Sequence, residues 1–122
     1  MLQRNYSRFG LAVAVASAFV LGGCAGTLTH WMVDLRTSQG DAALSNKSLV
    51  EAEKEYALAL KLDPHNEHAR KGLAHVLFLQ AQADFIDSKL DQAQLDVQGA
   101  LKYAPDDAST LALATFATRP PP

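Results

Sequence analysis

Glu51-Ala-Glu-Lys-Glu-Tyr-Ala-Leu-Ala-Leu-Lys-Leu-Asp-Pro64 is the stretch from which the rest of the chain can be read. Ala52, Tyr56, Ala59 and Leu60 recur at helical spacing and share one stripe. Leu58 and Leu62 form a second stripe beside it. A helix with two apolar stripes has to be covered on two sides. The small side chains of Ala52 and Ala59 let neighbouring helices come close, and Tyr56 fills the gap between them. Asp63-Pro64 ends the helix, because the residue before a proline is pushed out of the helical region. The segment is therefore predicted to sit inside a stack of helices.

The pattern returns 41 residues later. Gln39, Ala42, Leu49, Ala52, Ala59, Leu60, Lys61 and Pro64 land on Gln80, Ala83, Leu90, Ala93, Ala100, Leu101, Lys102 and Pro105. Tyr56 lands on Val97 and Leu44 on Phe85. Apart from the glutamine and lysine pairs, the identities fall on positions that pack or terminate a helix. An internal repeat of this length indicates stacked helical units.

Ala52, Tyr56, Ala59 and the Leu-Asp-Pro ending at Pro64 resemble the second helix of a tetratricopeptide repeat. Ala93, Val97, Ala100 and Pro105 resemble a second copy, and Gly40 stands where that family places a small residue at its helix crossing. The resemblance covers residues 28–116. It implies an all-α fold, a right-handed stack of helical hairpins forming a short α-solenoid of two repeats (28–64 and 65–105) and a terminal helix (106–118). The period exceeds the family's roughly 34 residues, so two extra helical turns are expected in the first helix of each pair.

The N-terminal residues are of another kind. Arg4 and Arg8 precede an apolar run from Leu11 to Leu21, with no acid before Asp34. About a dozen apolar residues are too few to span a bilayer, which takes about 20, and the arrangement is that of a secretory signal over residues 1–23. Leu21-Gly22-Gly23-Cys24 resembles a bacterial lipobox, which implies lipidation of Cys24. An ordinary signal peptide that happens to contain a cysteine is the alternative. Ala25 after the cysteine, in place of aspartate, resembles the outer-membrane class of lipoproteins in double-membraned bacteria, facing the periplasm. The tether, residues 24–27, is short, and its last three residues reach about 10 Å at most. Cys24 is the only cysteine, so no internal disulfide is available.

The whole chain has a formal charge of −2. Removing residues 1–23 takes away two arginines and no acid, leaving 99 residues with nine basic and 13 acidic side chains, a charge of −4. That balance argues against a nucleic-acid partner. The length suits one small domain.

The first helix is predicted from Leu28 to about Leu44, burying Leu28, Trp31, Met32, Leu35, Gln39 and Ala42. Trp31 is expected in the core, with a membrane-interface position as the alternative. Ser48 and Glu51 read as a capping box for a helix from Leu49, and Ser88 with Asp91 repeats that signal for Leu90–Ala104. Asn66 is predicted to cap a helix from Glu67 to Ile86, with Leu73, Val76, Leu77, Gln80 and Ala83 on one face. Gly99 is expected to allow close approach of the helix that follows. Asp107 caps a fifth helix, Ala108–Thr118, which is apolar nearly all round. Arg119 and three prolines, residues 119–122, end the chain as an inert tail.

Little in the sequence suggests catalysis. It has no glycine-rich phosphate loop and no cysteine pair. His65 and His68 straddle a helix start, but no fixed carboxylate spacing supports a metal site, so a solvated turn is expected. Glu51, Glu53 and Glu55 read as an exposed helix side paired with Lys54. No cofactor is expected, and the chain is not expected to be an enzyme. The family resemblance implies a concave binding face built from first helices. It carries over to Asp34, Thr37, Asp41, Leu44 and Ser45 in the first hairpin and His75, Phe78, Gln82, Phe85 and Ile86 in the second. Aromatics among polar residues suit a peptide, although inward packing of Phe78 and Phe85 remains open. The expected function is a membrane-anchored adaptor or assembly factor that binds a protein partner in the envelope. The alternative is a structural lipoprotein that forms a homodimer through residues 108–118.

Overall fold

A computed structural model describes the backbone of residues 6–118 and the side chains of 26–118. The Cys24 side chain, the residues preceding Tyr6 and residues 119–122 lie outside that range, as do the other side chains of residues 6–25. The described chain is all-α: α1 Tyr6–Ser45, α2 Leu49–Leu62, α3 Glu67–Ile86, α4 Leu90–Tyr103 and α5 Ala108–Ala117, with no strand among the described residues. It divides into two compact units, Met1–Met32 and Val33–Pro122. Among the described residues no helix is long and apolar enough to cross a membrane.

Two expectations for α1 are corrected. The helix starts at Tyr6 rather than Leu28, so residues 24–27, read as a tether, are helical. In the first unit Leu28 and Trp31 are not core residues; they are 58% and 60% exposed. In the second unit the expected buried residues Leu35, Gln39 and Ala42 face outward, and Val33, Thr37, Gly40 and Ala43 are buried instead. The buried stripe is displaced by one residue, which is about 100° of helix rotation. The bulk at this interface comes from Tyr56 on α2, so α1 has to present its smallest residues there.

Tyr56 is the keystone of the second unit. Its ring is buried between two glycines: a Cβ on Gly40 of α1 would lie 2.7 Å from the ring, and one on Gly72 of α3 would lie 2.5 Å from it. Only backbone without a side chain leaves room for the ring on both sides. Ala52 and Ala59 are fully buried on either side of it, as predicted for α2. Ala93 and Ala100 are buried in the same way on α4. Each helix from α2 onward packs on the next, and α5 also returns to α3. Gly99 meets Leu77 of α3, at 3.1 Å from a Cβ built on it, rather than the helix that follows.

The turns repeat with the same 41-residue spacing. Asp63 N–H donates to Ala59 O and Ala104 N–H to Ala100 O, both at 2.9 Å, ahead of the two prolines' ends. Asn66 and Asp107 then cap α3 and α5, accepting from Ala69 N at 2.8 Å and Thr110 N at 2.7 Å. The two serine caps do not form. Ser48 makes no side-chain cap bond, and the α4 cap position is Lys89. Both turns use left-handed residues, Lys47 and Ser88, each at φ 61°. Ser48 N donates to Ala43 O and Lys47 N to Leu44 O, while Lys89 N and Ser88 N repeat this onto Asp84 O and Phe85 O. This is the Schellman closure, normally marked by glycine, and without that marker the residues read as caps of the next helix.

Candidate functional site

The α3 helix carries one outward row, His68, Lys71, His75, Phe78, Gln82 and Phe85, spaced by three or four residues so that they share a face. Asn66 fixes the start of this row through its cap, and buried Ala69, Leu73 and Val76 hold the opposite side of α3 against the core. Midway along, His75 and Phe78 meet the first turn of α5. Together with Lys71, Ala74, Ala104, Asp107, Ser109 and Thr110 they enclose a pocket of about 210 Å³. Its floor is apolar, from Ala74 and Phe78. Its rim carries an ammonium, an imidazole and a serine hydroxyl. Asp107 is already engaged, with both Thr110 N and Thr110 Oγ1 donating to Oδ2 at 2.7 Å. Those two bonds hold its carboxyl below the usual 3.8, against slight burial and with help from His75.

At the N-terminal end of the row, α1 contributes Asp41. His68 Nε2 lies 2.9 Å from each Asp41 oxygen, and Tyr56 Oη donates to Oδ1 at 2.6 Å. Burial pushes the Asp41 carboxyl up, but the bonds from Tyr56 and His68 and the His68 charge outweigh it, so the net direction is down. Burial, followed by the bond to Asp41 and its charge, pushes the Tyr56 phenol up, so it stays a donor. The carboxylate thus accepts from two helices at once and ties α1, α2 and α3 together at this edge.

The expected binding residues divide by helix. His75, Phe78, Gln82 and Phe85 do share the outward face of α3; Phe78 is half-buried in the pocket and Phe85 is 37% exposed. Of the α1 set, Asp34, Asp41 and Ser45 are exposed, but two expectations are corrected. Thr37 is buried, its hydroxyl donating to Val33 O and Asp34 O. Leu44 packs against the core. Both corrections follow from the one-residue rotation of α1, which carries 37 and 44 inward. Lys71, His68 and Ser109 are site residues that the sequence reading missed. For His68 and Lys71 the signal was available, since they precede His75 and Phe78 at i, i+3, i+7 and i+10. Ser109 has no such signal, because only the return of α5 to α3 brings it there.

On the other side of α3, Glu53, Asp84 and Asp96 line a more open hollow with Gln80 and Gln92. Gln80 Nε2 donates to Glu53 at 2.8 Å and Gln92 Nε2 to Asp96 at 3.0 Å. Burial raises the Asp96 carboxyl above 3.8, opposed by the Gln92 bond and reinforced by Asp84 and Glu53. Glu55, expected at the surface, is buried, and Arg36 Nη1 meets its Oε2 at 2.8 Å. No group of three His, Cys, Asp or Glu side chains among the described residues is placed to hold a metal ion.

Compared with known proteins, the chain matches no family model and no curated protein.

Proposed function

We propose that this chain is a lipid-anchored adaptor or assembly factor of the bacterial cell envelope. It grips a segment of a protein partner on the α1–α3–α5 face of a short tetratricopeptide-like array of hairpins. The anchor is Cys24, and the site is the outer membrane on its periplasmic side. Tethering raises the effective concentration of the partner at the membrane. The observation that carries the proposed face is the α3 row with Phe78 half-buried in a pocket with an apolar floor and Phe85 exposed further along, among polar side chains. That combination suits an extended or helical peptide with one apolar anchor residue.

Cross-linking in intact cells followed by capture of this chain tests it. Phe78→Ala removes the floor, and His75→Glu alters the exposed rim without touching the core. Partners recovered with the native chain should be lost with both variants. If both variants recover the same proteins in the same amounts, the reading fails.

A second reading, self-association through residues 108–118, is favoured by the composition of α5. It contains no charged residue, and Leu111 is 45% exposed. A dimer that dissociates on Leu111→Glu, measured by light scattering across concentrations, would support it over the adaptor reading.

A further inference from the structure

We infer that Leu28 and Trp31 form a membrane-contact surface, seating residues 24–32 in the interfacial layer of a lipid bilayer. Both side chains are more than half exposed, although their spacing and apolar character suit a core. The unit that contains them offers no other described element to cover them. The occupant follows from chemistry. From Cys24 to Met32 the sequence contains no Asp, Glu, Lys or Arg, so pressing this part of α1 into an interface desolvates no formal charge. Tryptophan is the side chain best suited to that layer, with a broad apolar ring and one N–H that reaches water or headgroups. In the register of α1, Leu28 is about one turn and Trp31 about two turns beyond Cys24. An acyl group on that cysteine therefore delivers this face to the bilayer rather than to a soluble partner. This face lies at the surface, and the acyl chains supply the depth.

The inference rests on the lipid-anchor reading only for how the chain reaches the membrane, and the test separates the two. Trp31 is the only tryptophan, so its emission reports this surface alone. The full protein is purified from membranes, and its intact mass shows whether Cys24 is acylated. It is then reconstituted in phosphatidylethanolamine–phosphatidylglycerol vesicles, some containing lipids brominated near the headgroup end of the acyl chain. The expected result is a shift of the emission to shorter wavelength, loss of emission with the brominated lipid, and protection from iodide in the water. The same result with an unmodified Cys24 supports the surface and removes the anchor. Emission quenched by iodide and untouched by bromine overturns the surface, and an acylated Cys24 in that sample leaves the anchor standing. Leu28→Ser, at an exposed position that leaves the second unit intact, should return part of the iodide quenching.

Discussion

The hairpin α1–α2 and the hairpin α3–α4 occupy equivalent places in a 41-residue repeat and solve one packing problem in two ways. In the first, Tyr56 supplies the bulk, and Gly40 and Gly72 make room for it. In the second, Val97 stands in place of Tyr56, and Ala81 and Leu113 stand in place of the glycines. Ala81 and Val97 are both buried. One large ring between bare backbones is replaced by three side chains of moderate size. Polar pairing differs in the same manner. Arg36 meets buried Glu55 in the first hairpin, whereas their counterparts are Leu77 and Asp96; burial, with Asp84 and Glu53 nearby, raises the Asp96 carboxyl. Asp41, which collects Tyr56 and His68, corresponds to the exposed Gln82. The helix scaffold is shared by the two hairpins, while volume and charge are balanced locally within each.

The comparison can be broken most severely at its largest side chain. Tyr56→Ala removes a buried ring and the donor to Asp41, and should destabilise the fold by about 3–5 kcal/mol in urea unfolding. Val97→Ala should lose only about 1–3 kcal/mol, since fewer atoms leave the core. Equal losses at the two positions would show that the ring is not the keystone.

Gly40→Ala makes the first hairpin resemble the second at one position. With the ring present, the new methyl collides with it, at an expected loss of about 1–3 kcal/mol. In a Tyr56→Val background the same change should become neutral, or gain up to about 1 kcal/mol from helix propensity. A double-mutant cycle with no coupling would refute the wedge.

Arg36→Leu copies the Leu77 arrangement and strips Glu55 of its closest cation. Because Arg36 is itself partly solvated, about 1–2 kcal/mol should be lost at neutral pH, less than for a fully buried pair. Thermal melts of Arg36→Leu and of Arg36→Leu with Glu55→Gln decide the point, since the second change should restore part of the loss.

The two turns should respond alike. Lys47 and Ser88 hold the left-handed backbone that glycine adopts without penalty. Lys47→Gly and Ser88→Gly should each raise stability by up to about 1 kcal/mol. A gain at one turn and a loss at the other would deny their equivalence.

The smallest effect is expected at Asp96. Its carboxyl is raised in the folded chain, so the fold holds the proton more tightly than the unfolded chain does. Stability attached to this group is therefore complete below the ordinary carboxylate value of 3.8 and declines as pH rises through the raised one. Asp96→Asn should raise stability at pH 7 by less than about 1 kcal/mol and have no effect at pH 3. A gain of equal size at both pH values would exclude the titration as its cause.

Much of the helical layout was legible from local chemistry. Pro64 and Pro105 stop helices whatever surrounds them, and Asn66 and Asp107 cap the next ones through bonds within three residues. The end of α2, the start of α3, the end of α4 and the start of α5 follow from these signals alone. Ala52, Ala59, Ala93 and Ala100 could be placed inside because four small residues at helical spacing have no other use than close approach. The placement of the residues in the proposed face was half legible. His75, Phe78, Gln82 and Phe85 belong to one helix with a clear register, and that register was enough. Of the α1 set Asp34, Asp41 and Ser45 are exposed, but Thr37 and Leu44 turn inward, because amphipathicity points to the largest apolar side chains, Leu28, Trp31 and Leu35, whereas this interface selects the smallest.

The sequence by itself determined where helices start and stop after Leu49, that their pattern recurs after 41 residues, and which alanines are buried. Those features depend on backbone hydrogen bonds and on spacing along a single helix. Only the tertiary structure decided which side of α1 faces inward, that Glu55 is buried against Arg36, and that α5 brings Ser109 and Thr110 to Phe78. Each of these depends on a partner many residues away. The rotation of α1 is set by the Tyr56 ring, whose shape requires a glycine on each neighbouring helix.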